Sequence, residues 1–260
     1  MAGRDQDKEK PETVRPEINI HTQHNTGTIV GENRGVITAG SVVRRTLEPP
    51  SGTSSIGSQV LRILFLGANP KSGGNLHLEQ EVRDIDAALR QAEFRDHFDL
   101  RQQLAVRPMD LQAALLRHNP HIVHFSGHGD SESIYLEDDS GFLKPVQGAV
   151  LARILGAFKK QIRCVVLSAC SSKEQSEMLA KDIDFVVGMS SSIKTSSCRR
   201  FSFGFYQALA YGSTVQMAFD LGCAQIDLDG LHQQGDTPQL IALRHNPDEV
   251  SFVDAQSNGG

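Results

Sequence analysis

Two residues of this sequence have the type and the setting for nucleophilic chemistry. Cys170 ends the run Cys164-Val-Val-Leu-Ser-Ala-Cys170, and His128 ends the run His121-Ile-Val-His-Phe-Ser-Gly-His128. A cysteine attacks a carbonyl as its thiolate and needs an imidazole nearby to manage the protons. In that arrangement His128 protonates the leaving amine. Gly129, directly after it, lets the backbone come close to a substrate. The N–H groups of Gly129 and Cys170 together would form an oxyanion hole for the tetrahedral intermediate. A helix is expected soon after Cys170-Ser171-Ser172, and its N-terminal dipole would favour a thiolate.

These residues must be delivered by the elements that carry them. Each run is short, apolar and β-branched, as a buried strand is. In an open parallel sheet, chemistry sits beyond the carboxyl ends of the strands. If the two strands are neighbours, His128 and Cys170 emerge side by side. Around them the pattern alternates. Strands are expected at 60–66 and 98–104, with a turn at 67–74. A helix over 76–94 places Leu78, Val82, Ile85 and Leu89 on one face and charged residues on the other. A short helix opens at Pro108, and a hairpin turns at Asp139-Ser140-Gly141. Helices follow over 147–158, 174–181, 201–211 and 214–226, with strands at 185–188 and, as an edge, 239–243. Strands alternating with helices make an α/β three-layer sandwich around a mainly parallel central sheet.

Bulk properties exclude several classes. The net charge of −5 argues against a nucleic-acid partner. No apolar run approaches the ~20 residues of a membrane span, and the charged first ten residues lack a signal-peptide core. A cytoplasmic protein is expected. The four cysteines contain no Cys-x-x-Cys pair, so neither a metal site nor a disulfide framework is expected. Cys164 and Cys223 read as packing residues, and Cys198 as a bystander or a redox-sensitive thiol. No Gly-x-Gly-x-x-Gly follows the first strand, so no cofactor is expected.

The organisation reads as a charged leader (1–17), a β-prone Gly/Asn/Thr-rich arm (18–40), a linker (41–58), a globular domain (59–245) and a flexible tail (246–260). The arm places β-branched pieces between Gly27, Gly31 and Gly35. Stacked on copies of itself it would bury what one copy cannot. It resembles the short amyloid signalling motifs of cell-death proteins, and equally suits a Gly-rich hairpin or an irregular arm packed on the main domain.

His124-Phe-Ser-Gly-His-Gly129 and Val165-Val-Leu-Ser-Ala-Cys-Ser171 resemble the two signatures of the CHAT family, caspase-like peptidases related to separases. The resemblance runs from Ile63-Leu-Phe-Leu-Gly-Ala-Asn-Pro70 through Glu81-Val-Arg-Asp-Ile85 and Val187-Gly-Met189 to about Leu228. It implies a caspase-like fold, with His128 and Cys170 as the catalytic pair of a cysteine endopeptidase acting on a protein substrate. A role in bacterial defence or regulated cell death follows, with the arm recruiting a sensor or mediating self-association. Family members often carry a Gly-Asp pair after the Val-Gly-Met strand, whose carboxylate receives Lys or Arg. Here that loop holds Lys194, Thr195, Arg199 and Arg200 and no acid. Such a pocket would repel a basic side chain and accept an acidic or small one, unless the two arginines simply face solvent. The alternative function is a catalytically silent caspase-like adaptor.

Overall fold

Strand residues of this chain alternate between two apolar cores, and that alternation dictates the layers. The computed structural model describes residues 42–44, 60–231 and 234–253, all within one compact unit, Ile37–Gly260. The leader and the arm expected at 18–40 lie outside the described residues. The strands of the main sheet are β1 (Val42–Arg44), β2 (Leu61–Gly67), β3 (Phe98–Gln103), β4 (Ile122–Ser126), β8 (Cys164–Ser168), β9 (Phe185–Met189) and β10 (Pro238–Ala242). A smaller antiparallel sheet is made by β5 (His128–Gly129), β6 (Ser133–Glu137) and β7 (Leu143–Gln147). The helices are α1 (Leu78–Arg90), α2 (Pro108–His118), α3 (Gly148–Gly156), α4 (Lys173–Leu179), α5 (Thr195–Ala210) and α6 (Val215–Leu228).

Among the described residues the main sheet has seven strands in the order β1-β10-β9-β8-β4-β2-β3. All its pairings are parallel except β10 with β9. Leu61, Ile63 and Phe65 of β2 face one core, with Ile85 of α1, Phe201 and Phe205 of α5, and Phe219 of α6. Leu64 and Leu66 face the other, with Leu115 of α2, Leu151 of α3 and Leu179 of α4. A period of two along each strand thus feeds a helical layer on either side. The fold is the expected α/β sandwich.

Three local differences from the sequence expectation have physical reasons. Helix α5 starts at Thr195, six residues before Phe201, because nothing from Thr195 to Arg200 breaks a helix. The Gln234 carboxamide fixes its start by accepting from Lys194 N–H and Ser197 Oγ, both at 2.8 Å. Strand β10 is not a free edge: β1, from within the segment read as a linker, pairs with it in parallel and covers its backbone donors and acceptors. Directly after β4, His128 and Gly129 enter the small sheet opposite Tyr135 and Ile134, so His128 is held by a ladder rather than left on a loop.

β2 pairs with β3 on one side and β4 on the other. The chain therefore reverses its direction of travel across the sheet at β2/β4, the place where open α/β sheets bind ligands.

Candidate active site

The register of β4 against β8 fixes the site. Ser126 pairs with Ser168, so His128 and Cys170 each lie two residues beyond one matched pair on adjacent strands. Gly127 N–H donates to Ser168 O at 3.2 Å, extending the pairing past the strand ends. The expected neighbour relationship holds, and both side chains line one cleft of about 370 Å³. Both are partly exposed.

His128 is positioned by the turn after β2. Its Nε2 lies 2.9 Å from Gly74 O. A carbonyl only accepts, so Nε2 carries the proton and Nδ1 is the nitrogen left to exchange one. Gly73 makes room for the ring: a Cβ there would sit 2.5 Å from His128 Cδ2 and Nε2.

Cys170 sits where the chain turns sharply. Ser171 adopts φ 52°, a left-handed conformation that non-glycine residues seldom hold, and its N–H is tied to Ser191 O at 3.1 Å. The Cys170 thiol points to Ile193 O at 3.8 Å. Helix α4 follows but has only seven residues. Gln175, on its first turn and 1% exposed, donates to Asp130 O at 2.7 Å. One side chain thus ties the segment after Cys170 to the segment after His128.

The backbone around the pair has two available donors. Asp130 N–H bonds to Ser133 O, so in this antiparallel ladder Asp130 is a hydrogen-bonded position and Gly129, opposite Ile134, is not. The Gly129 N–H therefore points away from β6. Its missing Cβ would lie 3.2 Å from Ala169 Cβ and 3.5 Å from Cys170 O. Among the described residues no backbone or side-chain acceptor takes the Cys170 N–H.

The other cysteines are poorly suited to act as thiolates. Burial pushes the Cys164 thiol up to about 12 and the Cys223 thiol up to about 12. Cys198 is raised well above its usual value, first by burial and then by the charges of Glu81 and Cys170. Cys198 nevertheless lines the same cleft as Cys170, which its reading as a bystander had not placed.

Of the four expected pocket residues, Lys194 and Thr195 line the cleft and the two arginines do not. Arg199 donates to Asp84 of α1 at 2.7 and 2.9 Å. Arg200 pairs with Asp229. Their charges are matched outside the cleft, so neither supplies the expected repulsion.

A residue the sequence reading passed over lies at the cleft instead. Glu81 of α1 is 1% exposed and lines it with Ser126, Ser168 and Cys198. The carboxylate accepts from Ser126 Oγ at 2.6 Å and Ser202 Oγ at 2.8 Å, and lies 3.2 Å from His124 Nε2. His124 Nδ1 in turn lies 3.1 Å from the Tyr206 hydroxyl. Burial alone would raise the Glu81 pKa, but the bonds and charge of His124 and the two serine hydroxyls outweigh it and hold the carboxyl below its usual value. The sequence did contain a signal. Position 81 is three residues after Leu78 and four before Ile85, on the apolar face of α1.

The sequence matches the CHAT domain over residues 20–229. The chain belongs to the CHAT family. A relative, a "Probable protease" of Gillisia limnaea, is 26% identical over 161 residues, 60% of this chain. The chain spans 28% of that relative's length. Among solved structures, caspase-1 from Spodoptera frugiperda superposes with a TM-score of 0.56 at 12% identity, covering 83% of this chain and 99% of that one. The Arg-specific cysteine proteinase gingipain R gives 0.51 at 14% identity, covering 70% of this chain and 46% of that one. The CHAT domain here therefore has a caspase-like fold. No described helix is long and apolar enough to cross a membrane.

Proposed function

We propose that this CHAT protein is a cysteine endopeptidase in which Cys170 is the nucleophile and His128 the acid–base partner. The observation that carries the reading is the Ser126–Ser168 register, which brings the two side chains into one cleft from neighbouring strand tips. The Cys170 thiol gives up its proton to His128 Nδ1, the resulting thiolate attacks the scissile carbonyl, and the Gly129 and Cys170 N–H groups receive the oxyanion. His128 delivers a proton from Nδ1 to the departing amine, while Gly74 O holds Nε2–H and fixes the ring. Water then hydrolyses the acyl-enzyme with His128 accepting the proton, returning the free thiol.

The peptidase domain spans 59–245, and Lys194 and Thr195 form part of the substrate rim. The protein acts in the cytoplasm as an effector of bacterial defence or regulated cell death. Residues 18–40 recruit it to a sensor or cluster its copies, and clustering raises local concentration around a weak encounter. Mapping new protein N-termini in cells expressing wild type and Cys170→Ala tests this. Cleavages that disappear with Cys170→Ala support the peptidase. An unchanged phenotype with no cleavage lost would instead establish the adaptor reading.

A further inference from the structure

Two sulfurs line the cleft, and the peptidase mechanism uses one of them. Cys170 stands at the tip of β8, Cys198 lies on the first turn of α5, and both face the same recess. Among the described residues the other two cysteines do not line it: Cys164 begins β8 at the far end of the strand, and Cys223 sits on α6.

The segments around the two residues interlock. The loop that leads into α5 packs on the turn that carries Cys170. Ser171 N–H donates to Ser191 O at 3.1 Å, and the Cys170 thiol points to Ile193 O at 3.8 Å. The next residue, Lys194, opens α5, and its carbonyl accepts from Cys198 N–H at 3.1 Å. On the other side the Cys198 thiol lies against Ser168 Oγ, two residues before Cys170 on β8. Cys198 is thus brought to Cys170 from two directions.

The pair is asymmetric. Cys170 is partly exposed, and its contact with Ile193 O is a long, weak one that leaves the side chain free to turn. Cys198 is 6% exposed. Burial first, then the charges of Glu81 and Cys170, keep it a neutral thiol. An oxidant entering the cleft therefore meets Cys170 first, the more accessible sulfur and the one poised as a thiolate. Oxidation of Cys170 then places an electrophilic sulfur beside a thiol that is already in position.

We propose that Cys198 is a resolving cysteine, which captures hydroperoxide-oxidised Cys170 as a reversible Cys170–Cys198 disulfide. In the first step the Cys170 sulfur attacks one oxygen of the hydroperoxide. A sulfur–oxygen bond forms with an electron pair from sulfur, the O–O bond breaks, and the thiol proton leaves with the departing oxygen as an alcohol, or as water from hydrogen peroxide. Cys170 is now a sulfenic acid. In the second step the Cys198 sulfur attacks the sulfenic sulfur. The S–S bond forms, the S–O bond breaks, and hydroxide departs with the Cys198 proton as water. A dithiol returns both thiols by exchange and is itself oxidised to a disulfide. The disulfide holds Cys170 inactive and spares it further oxidation to a sulfinic acid, which a dithiol does not reduce. The loss of activity rests on the peptidase reading, whereas formation of the disulfide does not.

The test treats the full-length protein with hydrogen peroxide at neutral pH, alkylates the remaining thiols in denaturant, and maps the peptides by mass spectrometry without reduction. Cleavage of a peptide substrate is read before treatment, after it, and after dithiothreitol. Wild type is expected to yield linked Cys170 and Cys198 peptides from one chain and to lose two of its four alkylatable thiols. Its activity is expected to fall as the link forms and to return with dithiothreitol. In Cys198→Ser the same exposure should carry Cys170 on to sulfinic acid, with activity that dithiothreitol does not restore. Cys170 oxidised while Cys198 stays free, Cys170 left reduced, or Cys170 linked to a second chain on a non-reducing gel each overturns the proposal, whether or not Cys198→Ser folds. Equal recovery of activity in Cys198→Ser and wild type overturns it as well. Linked peptides in a protein that cleaves nothing before treatment support the disulfide and refute the peptidase.

Discussion

Two adjacent glycines should respond oppositely to the same substitution. In Gly73→Ala the new methyl would lie 2.5 Å from His128 Cδ2 and Nε2, about 1 Å short of ordinary contact. Pro70 O, at 3.3 Å, is a further close neighbour of the new methyl. The atoms in the way belong to a partly exposed ring that can rotate, so the fold absorbs the change. The cost in stability should stay below about 1 kcal/mol. The ring must give up its 2.9 Å bond to Gly74 O, and a shift of about 1 Å in a reacting group costs on the order of 10²-fold in rate. In Gly74→Ala the nearest ring atom, His128 Cε1, is 3.9 Å away, an ordinary contact. Neither glycine has a positive φ, so alanine brings no backbone strain at either. The assay is kcat/KM on the best-cleaved peptide, with chemical denaturation run in parallel. Gly73→Ala should lose about two orders of magnitude at near-native stability, and Gly74→Ala should stay within about threefold of wild type. Equal activity in the two variants, or loss in both, would refute the assignment of Gly74 O as the anchor of His128.

Two further outcomes follow from packing and charge. Gly188→Ala in β9 would bring a methyl to 2.9 Å from Ser176 Cβ and 3.0 Å from Ser172 O. Both neighbours are buried in α4 and its cap, so unfolding in urea should show a loss of about 1–3 kcal/mol. His121 is held well below its usual range, to about 4, first by burial and then by the charges of Arg62 and Arg163. Its Nδ1 accepts from Arg62 N–H at 3.0 Å, a bond that protonation removes. As pH falls from 6.5 towards about 4, the unfolded chain takes the proton and the native state resists it. Stability is therefore full above this window and is lost through it, by up to about 3 kcal/mol at ~1.36 kcal/mol per unit. His121→Asn keeps an acceptor in place of Nδ1, and melting curves across this range should show a flatter acid limb than wild type.

How much of this was legible in the sequence depends on the range of the interaction. The strands carrying His128 and Cys170 stood out because a period of two and β-branched content are local properties. Their adjacency was a condition the sequence left open, and the pairing of β4 with β8 meets it. The roles of Arg199 and Arg200 did not, because Asp84 is 115 residues from Arg199 and no local pattern announces that pair. Helix α5 was shortened for a similar reason. Thr195-Ser-Ser-Cys-Arg-Arg200 has a loop-like composition, and the Gln234 side chain that organises its start comes from 37 and 40 residues away. Glu81 is the instructive case. Its charge suggested the solvent face of α1, while its spacing from Leu78 and Ile85 placed it on the buried one. His124, a polar residue inside an apolar strand, was the other half of the signal, because a buried imidazole requires a partner.

The central claim is that one thiol, Cys170, reacts in a cleft it shares with His128. Treating the intact protein at neutral pH with a peptidyl acyloxymethyl ketone and mapping the modified cysteine by mass spectrometry tests it most directly. The account predicts a single adduct on Cys170, with Cys164, Cys198 and Cys223 unmodified and labelling much slowed in His128→Ala. Modification of another cysteine in preference, or labelling of Cys170 at an unchanged rate without His128, would contradict it.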